Sequence, residues 1–379
     1  MALTRVQDDR TLGARLLEVN WGLLLLLCTA AAIGTAMLYS AADGSFSPWA
    51  GRHVLRFGVF ACLAVAIAVI DIRFWMKLAY PAYFAALILL IGVEFAGVRG
   101  KGAERWIDLG VMQLQPSEIM KITLVMALAR YYHGIPYDRA GRALTLVVPA
   151  VMVFAPVALV LRQPDLGTAL LLVFEGAALV IAAGASIWLF VAAGTAAAGF
   201  APIAWSYLKD YQKDRILTFL DPERDPMGAG YHIIQSKIAF GSGGVWGRGF
   251  MQGPQSQLDF LPEKQTDFVF TMIAEELGMI GGLCVLALYL LIVAYAIAVA
   301  LQVRHVFGRL LAIGVSVVMF LYVAINTAMV MGLIPVVGVP LPLISYGGTS
   351  MLTVMTGFGL LMSAYVWRNM EIPRYHSHL

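Results

Sequence analysis

Charge is what this sequence has least of. Only 13% of its 379 residues are Asp, Glu, Lys or Arg, against about a quarter in a soluble domain. Hydrophobic residues make up 60%, and the mean hydropathy is +0.80. A chain of this composition is a polytopic membrane protein. The net charge of +3 gives no basis for a nucleic-acid partner. Cysteine is nearly absent as well. Cys28, Cys62 and Cys284 all lie in apolar runs, which excludes a disulfide framework or a metal knuckle. The histidines (His53, His133, His232, His305, His376 and His378) never pair at i, i+4, so no zinc site is expected. No nucleotide-binding fingerprint occurs. Residues 1–19 are polar and charged without a signal-peptide pattern, so insertion is expected through the first apolar run, which stays in the protein.

What is present is a series of long apolar runs. A hydrocarbon core of about 30 Å takes roughly 20 residues of helix. About ten candidate spans are found, near 21–39, 54–70, 78–95, 119–131, 143–161, 166–183, 187–208, 268–300, 310–331 and 350–367. The expected fold is an all-α membrane protein forming one domain over 1–379. The eighth run is longer than a span needs and carries Gly281-Gly282, where a tilt or kink is expected. With an even number of spans both termini share a side. Arg5, Arg10, Arg15, Arg73, Lys77, Arg130, Arg139, Arg142, Arg304, Arg309, Arg368 and Arg374 then fall together, which assigns that side to the cytoplasm. The tails 1–19 and 368–379 lie there. Residues 98–116, a large loop over 209–267 between spans seven and eight, and 332–349 lie outside. Within the large loop, residues 231–240 place Tyr231, Ile234 and Ile238 at helical spacing, as in an interfacial helix.

The end of that loop, residues 257–268, carries Asp259, Glu263 and Asp267 at four-residue spacing. Pro262 argues against one helix through them. Two readings stand: a bent loop delivering a carboxylate to the membrane surface, or a solvated loop with Asp267 capping the next helix. Other polar residues stand where a membrane tolerates few. Glu118 and Lys121, at i, i+3 behind Pro116 and Ser117, form either a structural ion pair or a cavity cation with its partner. Arg105 beside Trp106 is either a phosphate ligand at headgroup depth or a solvated loop residue. Asp165 suits the cap of the sixth span. Residues 332–350 are apolar but broken by three prolines and repeated glycines. They suit a re-entrant or lid-like loop, with Ser345 and Tyr346 as its polar tips. Glu175 and Asn326 are mid-span polar residues with no assigned role.

Six motifs in this order, GAERWIDLG, QPSEIMK, QPDLGT, FLPEKQTDFVF, AEELG and PVVGVPLPLISYGGTS, resemble the SEDS family (shape, elongation, division and sporulation) over nearly the whole chain. The Ser-Gln-Leu before Asp259 resembles the elongation branch more than the division branch. The resemblance implies a peptidoglycan glycosyltransferase that polymerises lipid II at the outer face of the bacterial inner membrane during lateral wall elongation. A lipid II flippase and a noncatalytic scaffold of the elongation complex are the alternatives. It implies Asp267 as the essential carboxylate, Glu118 and Lys121 as cavity residues, and Arg105 as the arginine of the Arg-Trp pair. Gln265 departs from the family's usual histidine. For this chemistry Asp267 is either a general base or, with Glu263, a ligand for Mg2+ or Mn2+ at the diphosphate. Arg105, Lys121 and Lys264 supply cations at the same depth, with Asp165, Ser345 and Tyr346 as further substrate contacts. A class B penicillin-binding protein and other elongation-complex membrane proteins are the implied partners.

Overall fold

The computed structural model describes residues 11–96, 98–100, 103–108, 113–207, 210–224, 229–258, 260–261 and 263–373. Arg5, Arg10, Asp259, Pro262 and Arg374 lie outside them. A short helix α1 (Leu12–Leu17) leads into α2 (Trp21–Ala41), α3 (Ala50–Val69) and α4 (Ile72–Ala96). Three strands follow, β1 (Val98–Gly100), β2 (Ala103–Asp108) and β3 (Gln113–Leu114), then α5 (Pro116–His133), α6 (Ala143–Arg162), α7 (Leu166–Ala182) and α8 (Ile187–Tyr207). The polar segment folds into α9 (Asp210–Leu220), α10 (Ala229–Gly243) and α11 (Pro254–Gln257). The chain closes with α12 (Val269–Gln302), α13 (Val306–Val330) and α14 (Gly348–Val366).

Seven of these helices, α2, α3, α4, α6, α12, α13 and α14, are long and apolar enough to cross a membrane, and α7 and the first part of α8 are shorter apolar helices. Burial shows which are central. The apolar windows of α14 and α13 are 83% and 67% buried, against 28–39% for the other five long helices. The eighteen-residue α5 is buried on all sides from Met120 to Ala129. That is why it tolerates Glu118 and Lys121: its polar groups meet protein, not lipid. By contrast α8 is exposed from Ile187 to Phe200 at every position but the half-buried Phe190. An apolar helix open on every side implies a lipid surround.

The helix boundaries follow local chemistry. Asn20 caps α2 by accepting from the Leu23 N–H at 3.1 Å, Pro116 opens α5, and Asp165 caps α7. His305 caps α13 by accepting the Gly308 N–H on Nδ1 at 2.9 Å. Burial is the main reason its imidazole falls from 6.5 to about 4, which keeps Nδ1 an acceptor. The unfolded chain therefore binds more protons between those values, so this cap's contribution is whole above about pH 6.5 and is lost as pH falls towards 4. Unfolding in detergent across that range is expected to show the loss in the wild type. His305→Asn, which caps without titrating, is expected to lessen the slope.

Three expectations are corrected. The fold is not purely helical: β1, β2 and β3 form a small antiparallel sheet in that order, with Val98 opposite Trp106 and Ile107 opposite Leu114. The eighth run breaks at Gly278 (φ 69°, ψ −166°), not at Gly281-Gly282. There the N–H groups of Arg248 and Gly249 donate to the carbonyls of Glu275 and Glu276, and Met279 and Ile280 donate to Gly244 and Val245. A neighbouring segment thus satisfies the groups that the break releases. A Cβ on Gly278 would lie 2.3 Å from the Gly247 nitrogen, so only glycine allows this approach. Finally, residues 231–240 are helical, but the buried face of α10 is Ile233, Ser236 and Ala239, while Ile238 is 46% exposed. Ser236 fixes that face, because its hydroxyl reaches the Val330 carbonyl at 2.6 Å and the Thr271 hydroxyl at 2.9 Å.

At one end of the bundle Glu18 meets Arg368 at 3.5 Å, and the Arg304 N–H donates to the Arg368 carbonyl. The described ends of the chain therefore adjoin. The other end carries the sheet, α11 and the irregular segment 331–347, called the strap below.

Candidate active site

The strap gathers the motifs. At its start Val337 packs on Gly167 of α7, where a Cβ would lie 2.9 Å from the Val337 carbonyl oxygen. Next, Gly338 (φ 71°) lies against Asp267, whose Oδ2 is 3.6 Å from where a Gly338 Cβ would be. Further on, Ile344 wedges against Gly34 of α2, where a Cβ would come within 2.6 Å of the Ile344 Cα. The second half of the strap is thus buried protein, with Leu341, Leu343, Ile344 and Ser345 all at most 3% exposed, while Met331 and Leu333 at its start are 39% and 67% exposed. This is how irregular backbone persists at membrane depth.

Asp267 is placed through its backbone. The carbonyls of residues 265, 266 and 267 are each held by a different donor. Tyr346 N–H donates to Gln265 O at 2.8 Å, the Ser345 hydroxyl donates to Thr266 O, and Asn326 Nδ2 donates to Asp267 O at 2.9 Å. Asn326 Nδ2 also donates to Val339 O at 2.7 Å. It therefore ties α13, the strap and the start of α12 together. None of these contacts uses the half-buried carboxylate. Asn326→Ala strands two carbonyls, each costing about 1–3 kcal/mol if unsatisfied. It is expected to lower both the unfolding midpoint in detergent and the activity of the site.

One turn below Asn326 on the same face of α13 stands Tyr322, which the sequence did not single out. Its hydroxyl donates to Glu118 Oε2. Lys121 Nζ donates to Glu118 Oε1 at 2.6 Å and to the Tyr322 hydroxyl, and lies 4.3 Å from the Tyr322 ring centroid. Glu118, Lys121 and Tyr322 are 5%, 1% and 0% exposed. A buried ion pair closed by a third group in this way meets the condition for its survival in a low dielectric. Glu175 of α7, fully buried, interacts electrostatically with Lys121 and Glu118, yet neither of its oxygens has a hydrogen-bond partner among the described residues. An orphan buried carboxyl costs about 1–3 kcal/mol, so Glu175→Leu is expected to stabilise the protein by that order. Equilibrium unfolding in detergent checks it. A loss of stability instead would show that the carboxyl supports Lys121.

The other expected site residues are spread around this centre. Arg105 on β2 donates to the carbonyls of Gln163 and Pro164 and lies 3.8 Å from Asp165. Asp165 accepts from the N–H and hydroxyl of Thr168 at 3.1 and 3.0 Å, and from Gln115 at 3.3 Å. The Arg-Trp and Gln-Pro-Asp motifs are therefore one structural joint. Lys264 is buried and donates to the Ser256 carbonyl at 2.7 Å. Glu263 (φ 58°) accepts the Thr266 hydroxyl at 2.7 Å. The Ala-Glu-Glu-Leu-Gly motif holds the same loop from below. Glu275 accepts the N–H groups of Gln255 and Ser256, at 2.8 and 3.2 Å. Glu276 accepts the Ser40 hydroxyl and the Met251 N–H. Among the described residues no group of three or more His, Cys, Asp or Glu side chains is disposed to hold a metal ion.

The sequence matches the family described as "Cell cycle protein", FtsW/RodA/SpoVE, over residues 18–369. The peptidoglycan glycosyltransferase MrdB of Escherichia coli (strain K12) is 42% identical over 350 residues, covering 92% of this chain and 94% of that one. The probable peptidoglycan glycosyltransferase FtsW of Trichlorobacter lovleyi is 36% identical, covering 92% and 93%. Among solved structures, a chain from work described as "Structural coordination of polymerization and crosslinking by a peptidoglycan synthase complex" superposes with a TM-score of 0.80 at 35% identity, covering 93% of this chain and 99% of that one. The rod shape determining protein RodA of Thermus thermophilus gives 0.71 at 30% identity, covering 93% and 98%. With those likenesses, its six motifs gathered at one end of a helical bundle, and seven helices fit to cross a membrane, the chain is a multi-pass membrane protein of the FtsW/RodA/SpoVE family, the SEDS proteins.

Proposed function

We propose that this chain is a peptidoglycan glycosyltransferase that polymerises lipid II during lateral wall elongation. The GlcNAc 4-hydroxyl of one lipid-linked disaccharide attacks C1 of MurNAc in another. Undecaprenyl diphosphate leaves, and the anomeric centre inverts. One observation carries this reading: Asp267 has its backbone fixed at three successive carbonyls by α13 and the strap, in contacts that do not draw on its carboxylate. A carboxylate so positioned serves as general base to the attacking hydroxyl. The relatives that bear the glycosyltransferase name support the reaction class.

The topology that suits this reading has ten crossings, made by α2 to α8 and α12 to α14, in the bacterial inner membrane. Both termini are cytoplasmic and the strap faces outward. The meeting of Glu18 with Arg368 supports an even number. Open apolar surface along α8 supports a lipid-filled space beside it, suited to a polyprenyl tail. Mg2+ or Mn2+ completes its shell with phosphate oxygens and water, and needs only one or two carboxylates. Asp267 with Glu263 is the pair that would hold such an ion, which would supply charge at the diphosphate. Cross-linking falls to a class B penicillin-binding protein partner, and the solved synthase complex of similar fold supports such an assembly.

The test is lipid II polymerisation by the purified protein with its transpeptidase partner, read as glycan ladders on a gel. Polymer formation is the expected outcome. Movement of a lipid II analogue across liposomes without polymer would favour the flippase, and neither activity would favour a scaffold.

A further inference from the structure

The cations expected to meet an anionic substrate are all occupied by protein. Arg105 is spent on the carbonyls of Gln163 and Pro164, Lys264 on that of Ser256, and Lys121 on Glu118 and Tyr322. A different cation stands at the strap. Arg56, in the second turn of α3, lies with its guanidinium carbon 5.0 Å from the centroid of the Tyr346 ring. Tyr346 is the residue whose N–H holds Gln265, two positions from Asp267. Arg56 Nη1 lies 3.4 Å from where a Cβ on Gly348 would be, at the first residue of α14.

Three features mark Arg56 as a ligand group rather than a snorkelling interfacial arginine. It is half-buried and turned onto Tyr346 and α14, not outward along the lipid face. The contact with the Tyr346 ring uses none of the guanidinium N–H donors, which a phosphate can take bidentately. Among the described residues the guanidinium makes no hydrogen bond and no ion pair, and it stands at the positive end of α14, where a cation is disfavoured unless an anion joins it. We infer that Arg56, backed by Tyr346, binds the diphosphate of the lipid-linked substrate beside the Asp267 loop. The inference rests on the proposed glycosyltransferase reading, and it names the cation that reading lacks.

The test compares wild type, Arg56→Gln, Arg56→Lys and Lys237→Gln in lipid II polymerisation, using the full chain with its partner in nanodiscs. Lys237, beside Gly332 at the far end of the strap, controls for a general loss of positive charge. The expected result for Arg56→Gln is a KM for lipid II raised about ten- to a hundredfold, the effect of losing one charge-assisted contact, with a smaller change in kcat. Arg56→Lys recovers part of the affinity, and Lys237→Gln leaves it unchanged. Undecaprenyl diphosphate competes with lipid II in the wild type and much less in Arg56→Gln, whereas undecaprenol competes in neither. An unchanged KM in Arg56→Gln, an equal rise in Lys237→Gln, or equal competition by phosphatidylglycerol overturns the inference. A wild type that forms no polymer overturns the proposed function instead, so the two failures are distinct.

Discussion

Asp267→Asn is expected to abolish polymer formation, lowering the rate by roughly 10²–10⁴, the range for loss of a general base. The substitution preserves size, and the contacts that fix residues 265–267 run to their backbone carbonyls from Tyr346, Ser345 and Asn326. None of these contacts depends on the carboxylate's charge. The variant is therefore expected to fold and to assemble with the proposed transpeptidase partner, while glycan ladders vanish. Titrating divalent cation separates the two roles open to the carboxylate. A lost base is not restored by excess Mg2+, whereas a weakened metal ligand is restored in part as the ion is driven on by mass action. Ladders of wild-type intensity from Asp267→Asn at low divalent cation would remove Asp267 from the chemistry.

The helices were legible because membrane burial imposes long apolar runs, and their ends follow from Asn20, Pro116 and Asp165 acting locally. The break at Gly278 was not legible. It depends on residues 244–249, some thirty positions earlier, arriving to satisfy the freed peptide groups, and no local pattern encodes that arrival. The sheet was missed for a related reason, since β1 and β3 hold only three and two residues. Among site residues, Asn326 was visible as a polar group mid-span, but its partners are two backbone carbonyls, which no side-chain motif announces. Tyr322 was hidden because a tyrosine in an apolar helix looks like core. Its place one turn from Asn326 was the available signal. Arg56 lay outside every motif, and only the fold brings α3 alongside Tyr346.

The pair beneath the site gives the largest expected effect on stability. Lys121→Ala removes the cation and leaves Glu118 buried with only Tyr322, so the protein is expected to lose roughly 3–5 kcal/mol, the cost of breaking a buried ion pair from one side. Unfolding in detergent measures that loss, but a drop in polymerisation by this variant alone would not separate folding from chemistry. The double variant Glu118→Gln with Lys121→Met does. The introduced amide oxygen still accepts the Tyr322 hydroxyl, the introduced thioether chain fills much of the lysine's volume, and no charge is left unpaired. Stability is expected to return to within about 1 kcal/mol of wild type, as when other buried pairs are replaced by neutral groups of similar size. Polymerisation is expected to return with it, because Lys121 is 1% exposed and spent on Glu118 and Tyr322, and the neutral pair takes no net charge away from the diphosphate. Recovery of both would show that Glu118 and Lys121 serve only to hold Tyr322, and through α13 Asn326, in register with Asp267. The charge stabilisation in catalysis would then rest with cations nearer the strap.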